Sequence, residues 1–280
     1  MMTKTGIPKF LTGFHIKLIA IISMLLDHFA DIFMARVLGG IYAPDGNTEA
    51  VHTSARWLWD WISANERVLW SCYDVLRWAG RPAFPLFCFL LVEGFIHTKN
   101  RKKYGLRLLL FALISEIPYD LAFSNRVLEL KNNNVFFTLL LGFLMLWAVS
   151  FLQDRIEKYR EKGAAQWLCV IMHILAPTAC LLVSFVIINT VLCSSYVVSG
   201  VFAIMVLYLL RKRPALAMAV TVIILSILNI SFVMLFALPA VAVVLMYNKE
   251  RGRPVKYGFY VFYPAHILIL YALGRLVLML

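Results

Sequence analysis

What most limits the fold of this chain is a series of apolar stretches, each about as long as the hydrocarbon core of a bilayer is thick. They fall at residues 15–38, 81–97, 104–122, 135–152, 165–187, 191–210, 214–229, 231–247 and 257–279. About 20 apolar residues in helical form cross a bilayer. Only helices and closed barrels satisfy their own backbone inside lipid. A barrel would need alternating segments of about 10 residues, and none occur. At 62% hydrophobic and 15% charged, the chain is far more apolar than the roughly half-apolar soluble norm. The sequence therefore predicts an all-α polytopic integral membrane protein, one domain over 1–280, with about nine transmembrane helices. Its first apolar run is too long for a cleavable signal and carries Asp27 and His28.

Basic residues set the orientation, because loops left in the cytoplasm keep their Lys and Arg. Lys4, Lys9 and Lys17 precede or open the first stretch, and HTKNRKKYGLR follows the second. Arg155 to Lys162, Arg211 to Arg213 and Lys249 to Lys256 follow the fourth, sixth and eighth. All lie on one side if the stretches alternate, which makes the N-terminus cytoplasmic. The net charge of +12 is thus a topological signal, and nucleic acid is not an expected partner. The opposite side holds its longest segment at 39–80, with Trp57, Trp59, Trp61, Trp70 and Trp78. Aromatic enrichment of this kind predicts an amphipathic interfacial helix on the outer side, serving either as a membrane-surface anchor or as a lid over a site.

Five cysteines (Cys72, Cys88, Cys169, Cys180 and Cys193) form no CxxC pair. They read as small apolar residues, with no metal expected. Ionisable groups inside the apolar stretches are more informative, since each is costly in lipid. IISMLLDHFADIF carries Asp27, His28 and Asp31, and Asp27 and Asp31, four apart, share a helical face. Arg81 opens the second stretch, Glu116 and Asp120 end the third around Pro118, and His266 sits within the ninth. A histidine beside carboxylates at low dielectric suits a general base. The same residues also suit a salt-bridge cluster that keeps helices in register, or a proton-coupled small-solute transporter. Lys99, Arg101, Lys102, Lys103 and Arg107 are explained by orientation alone, and equally suit a phosphorylated ligand.

Several segments carry a family resemblance: IKLIAIISMLLDHFADIF, then LRWAGRPAFPLFCFLLVEGFIHTKNRKKYGLRLLLFALISEIPYDLAF, then NNNVFFTLLLGFLMLW, and FYPAHILILY. Together they resemble the TraX family, named for a conjugative pilin acetylase and distantly similar to acyltransferase-3-type transmembrane acetyltransferases. The likeness covers most of the chain and is strongest over Arg81 to Phe123. Where the family carries Asp-Tyr-Gly near the sixth span, this chain has Ser195-Tyr196-Val197. The resemblance implies an acetyltransferase in a bacterial inner membrane, with acetyl-CoA as the cytosolic donor and a peptide or glycan acceptor at the membrane or outside. It implies His28 and Arg81 as working residues, with Asp27 or Asp31 orienting His28. Glu116 and Asp120 would then position Arg81 or the acceptor, the Lys99 to Arg107 turn would hold the CoA phosphates, and His266 is a further candidate. Membrane lipid is an expected partner, and the reading leaves room for a homo-oligomer.

Overall fold

The computed structural model describes residues 8–40, 55–129, 132–163, 165–187, 195–254 and 257–279, with the side chains of 195–197 left aside. No strand occurs among the described residues, as expected for a chain whose backbone must satisfy itself in lipid. The helices are α1 (Gly13–His28), α2 (Ala35–Gly39), α3 (Arg56–Ala64), α4 (Glu66–Gly80), α5 (Ala83–His97), α6 (Arg101–Ser124) and α7 (Val135–Glu161). They continue with α8 (Gln166–Ile187), α9 (Ser195–Leu209), α10 (Pro214–Leu228), α11 (Pro239–Leu245) and α12 (Gly258–Leu278). A π-helical segment, Phe29–Met34, joins α1 to α2, and a 3-10 turn, Phe232–Ala237, precedes α11.

Five helical stretches are long and apolar enough to cross a membrane: Gly13–Gly39, Glu66–His97, Val135–Glu161, Gln166–Ile187 and Gly258–Leu278. Val198–Leu209, Pro214–Leu228 and Phe232–Leu245 are shorter apolar helices. The chain is thus an all-helical protein built for a membrane. Helix α8 runs through Pro177 to Ile187, where the sequence suggests a kink. The tight turn expected at Asn189 to Ser195 lies almost wholly outside the described residues.

The outer segment differs from its sequence reading. Residues 41–54 lie outside the described residues, but α4 does not stand apart as a surface helix. It packs along α1 and the π segment, and continues into α5 across Arg81 and Pro82, so 66–97 forms one stretch. The cause is pairing. Arg77 on α4 meets Asp27 of α1 and Asp31 of the π segment, and Gly80 brings the backbones together there. A Cβ at Gly80 would lie 2.9 Å from Asp27 Cα. Helix α3 keeps an exposed aromatic edge, with Trp57 and Trp61 outward and Trp59 and Ile62 packed on Val37 and Leu38.

Helix α6 returns along α12, and its end is held by polar contacts that lipid cannot supply. Asn125 adopts a left-handed φ of 51°, which closes the helix. Arg36 donates to Asn125 Oδ1 (3.0 Å) and to the Ala122 carbonyl (2.7 Å), and lies over the Tyr271 ring. Asn134 caps α7 by accepting from Phe136 N–H at 3.0 Å. Its amide donates to the Ala112 carbonyl at 2.7 Å and to Glu116. The buried core runs between α1, α5, α6, α7, α9 and α12, where Phe95, Phe143, Ile204 and Ile267 are fully enclosed.

Asn134 is completely buried and links two helices, so its loss leaves Glu116 and the Ala112 carbonyl short of donors. Asn134→Ala is expected to cost about 1–3 kcal/mol, read as a lower midpoint of denaturant unfolding in detergent. Asn134→Asp should cost at least as much, because it sets a second carboxylate beside Glu116.

Candidate functional site

Successive residues of a helix point about 100° apart, so Asp27 and His28 face different neighbours, and the site is built on that divergence. The His28 ring faces α12, where it lies parallel to His266, with centroids 5.0 Å apart and a 4° interplanar angle. His28 Nδ1 and His266 Nε2 are 2.7 Å apart, and His266 Nδ1 is 2.7 Å from the Phe262 carbonyl. A carbonyl only accepts, so His266 carries its proton on Nδ1. With that ring neutral, its Nε2 is an acceptor, and His28 must donate from Nδ1. This chain of bonds assigns the free lone pair of a neutral His28 to Nε2. Tyr263 and Phe123 meet His28 edge-on at 6.1 and 6.0 Å, and Phe262 stacks on His266 at 4.7 Å. His28 is the last residue before the π segment, a distortion that often marks a functional position.

Asp27 and Asp31 share a face, as their spacing predicts, but that face looks toward α4. Arg77 Nη1 lies 2.9 Å from Asp27 Oδ2 and 3.0 Å from Asp31 Oδ2. The Tyr73 hydroxyl lies 3.3 Å from Asp31 Oδ1. Arg81 reaches Asp27 Oδ1 only at 3.9 Å, and neither that oxygen nor Arg81 Nε has a hydrogen-bond partner. Two expectations are therefore corrected. His266, not Asp27 or Asp31, orients His28, because the carboxylates are turned to Arg77. Arg77, not Arg81, is the main cation of the cluster, one helical turn earlier on the same face.

Glu116 and Asp120 are also used differently from their sequence reading. Glu116 Oε2 accepts from Asn134 N–H at 3.2 Å and from its side-chain amide. Asp120 Oδ2 accepts from Glu129 N–H at 2.7 Å. Both carboxylates hold the connection between α6 and α7, and neither is bonded to Arg81. Each keeps one buried oxygen without a hydrogen bond.

The five basic residues lie together where α6 begins. Asn100 caps the helix by accepting from Lys103 N–H at 2.8 Å. Arg101 lies over the Phe95 ring (4.5 Å), and Arg107 lies over Tyr104 and donates to the Lys103 carbonyl. Lys99, Lys102 and Lys103 are exposed. His28 meets α6 at Phe123, twenty residues beyond Lys103 on the same helix, which is about 30 Å of helical rise. The structure does not bring the basic turn and His28 together, and the rings of Tyr260, Phe111, Phe136 and Tyr263 pack between them.

Arg77, Tyr73 and Asn134 are the functional-site residues that sequence reasoning missed. Tyr73, Arg77 and Arg81 recur at intervals of four, and that period was the available signal. It is masked when 39–80 is read as an outer-side segment.

A family model described as TraX protein matches residues 13–274. The chain is 27% identical over 282 residues to "Probable fimbrial assembly protein FimC, serogroup H1" of Dichelobacter nodosus, with 92% of this chain and 94% of that protein covered. No solved structure matches.

Because Arg77 serves two carboxylates, removing it should strand both. Arg77→Gln is expected to destabilise the folded protein by roughly 2–4 kcal/mol. The double variant Arg77→Gln/Asp31→Asn should recover part of that loss. Unfolding midpoints of the four proteins in one cycle supply the coupling.

Proposed function

The chain belongs to the TraX family, and from that premise we propose that it is a membrane-embedded acetyltransferase. It would take the acetyl group of acetyl-CoA in the cytosol and deliver it to an amine or hydroxyl at the membrane or outer side. A role in fimbrial assembly, suggested by the name of the Dichelobacter relative, favours a fimbrial subunit's peptide as acceptor over an envelope glycan. The proposed setting is a bacterial inner membrane, with nine spans and the N-terminus in the cytoplasm. That topology rests on the alternating basic loops.

The observation that carries the reading is the chain from the Phe262 carbonyl through His266 to His28. A base must present a lone pair toward its substrate, and a second group must fix the tautomer that does so. His266 does this for His28 in an apolar, ring-lined setting. His28 Nε2 would take the proton of the attacking amine or hydroxyl, and the resulting imidazolium would keep its Nδ1–H on His266. Arg81 is the candidate for stabilising developing negative charge, since its Nε is not committed within the protein. Asp27 and Asp31, through Arg77, would position Arg81 and the α4–α5 junction.

The donor set of the basic turn suits a phosphate-bearing cofactor. Lys99, Lys102 and Lys103 extend outward, and Arg101 and Arg107 back them from the ring faces they cover. Bound acetyl-CoA would supply the activated acyl carbon. The roughly 30 Å between this turn and His28 makes the two assignments separable by experiment. A proton-coupled transporter would also need ionisable groups in the membrane. It gains less here, because the carboxylates nearest His28 are already paired with Arg77.

Transfer of labelled acetyl from acetyl-CoA into membrane or periplasmic acceptors tests the reading. His28→Ala is expected to lower the rate about 10²- to 10⁴-fold. His266→Ala should lower it less, and His266→Gln, which keeps an acceptor for His28 Nδ1–H, should recover activity. Full transfer by a folded His28→Ala protein would remove His28 as the base, and absence of transfer by the unaltered protein would remove the enzyme reading. Charge reversal at Lys102 and Lys103 should raise the acetyl-CoA requirement severalfold without changing the saturated rate. An unchanged requirement would remove the cofactor assignment alone.

A further inference from the structure

The end of the bundle from which α1 starts carries a second feature, separate from the paired histidines. A parallel bridge joins Leu11 to Tyr247, with Leu11 N–H donating to the Met246 carbonyl (3.0 Å) and Asn248 N–H to the Leu11 carbonyl (2.9 Å). Gly13 N–H adds a bond to the Glu250 carbonyl at 2.7 Å. The bridge ties the segment ahead of α1 to the turn after α11, beside the start of α10. Lys9, Arg213 and Lys249, one from each of three separate segments, converge on one cavity there of about 180 Å³.

None of these three cations is in an ion pair among the described residues, whose pairs are formed by Arg77, Arg81, Arg126 and Arg160. The acid closest in sequence, Glu250, accepts instead from the Asn248 amide at 3.0 Å. Three unneutralised cations at one opening repel one another, and an anion relieves that repulsion while taking charge-assisted bonds from each. Lys249 stands at a left-handed φ of 67°, a conformation unfavourable for lysine that the bridge and the Asn248 turn hold in place. The cavity walls are apolar, formed by Leu216, Val244, Leu245 and Tyr247. Its volume is below the roughly 300–1,000 Å³ of pockets that enclose whole small molecules, so it suits a phosphate and the carbons beside it.

We propose that Lys9, Arg213 and Lys249 form a binding site for the phosphate of an anionic phospholipid, whose glycerol and chains continue along the apolar wall. The cavity opens between ends of apolar helices, where the headgroups of a bilayer lie, and anionic lipids favour clustered Lys and Arg at that level. The site does not depend on the acetyltransferase reading. The same three cations would also take a soluble phosphate, so the experiment includes one.

The purified full-length protein in uncharged detergent would be titrated with dioctanoyl phosphatidylglycerol, dioctanoyl phosphatidylcholine and inorganic phosphate, following the thermal midpoint. Phosphatidylglycerol should raise the midpoint saturably, and phosphatidylcholine should not. The triple variant Lys9→Gln/Arg213→Gln/Lys249→Gln should weaken that effect at least about tenfold. Arg213→Gln alone, at an exposed position, should show an intermediate loss. Lys158→Gln/Lys162→Gln, on another basic turn, should leave it unchanged. An equal response to the two lipids, or an undiminished response in the Arg213 and triple variants, would overturn the site. Stabilisation by inorganic phosphate with no effect of phosphatidylglycerol would overturn the lipid as its source.

Discussion

Two carboxylates on an apolar helix are costly unless something compensates them, and the bridge from Arg77 to Asp27 and Asp31 does so. Much of the surrounding structure follows from that contact. It draws α4 against α1, and Gly80 supplies the close approach at Asp27. The chain can then pass Arg81 and Pro82 into α5 without leaving the bundle. A Trp-rich stretch that would otherwise lie at the bilayer surface becomes, over α4, a packed element. Tyr73 adds a hydroxyl to the same face, so Tyr73 and Arg77 of α4, with Arg81 just beyond its end, address one face of the first span.

With the carboxylates committed to α4, the other face of α1 is left to a different chemistry. His28 meets the His266 imidazole and the rings of Phe123 and Tyr263 there. The separation matters, because a carboxylate bonded to His28 would favour the imidazolium, whereas a neutral His266 anchored on a carbonyl favours a neutral ring with Nε2 free. The π segment that follows His28 changes the helical register between it and α2. That shift accompanies the placement of Arg36 against the end of α6 and Tyr271. One side of the first span is therefore electrostatic and structural, and the other holds the pair best suited to move a proton.

The polar groups at the end of α6 obey the same rule of compensation by other means. Among the described residues no cation pairs with Glu116 or Asp120, and they are met by amide donors, Asn134 and the Glu129 backbone. Isolated polar residues within apolar sequence thus divide into three kinds: paired charges, capped turns and the histidine pair. Only the last is without an evident structural purpose that a nonpolar pair could not serve.

Helical class and membrane character were legible in the sequence, because lipid leaves the backbone no alternative to helix and the stretches have about the length of a bilayer. Family membership was legible too, through the polar punctuation from Arg81 to Phe123, as was the shared face of Asp27 and Asp31, which needs only the helical repeat. What those residues face was not legible. A periodic pattern tells which side chains lie together on one helix and says nothing about which helix comes to lie opposite. His28 and His266 are 238 positions apart, and Arg77 sits in a stretch whose tryptophans suggest a surface. Only the packing of α1 between α4 and α12 decided that the carboxylates take an arginine and the histidine takes another histidine.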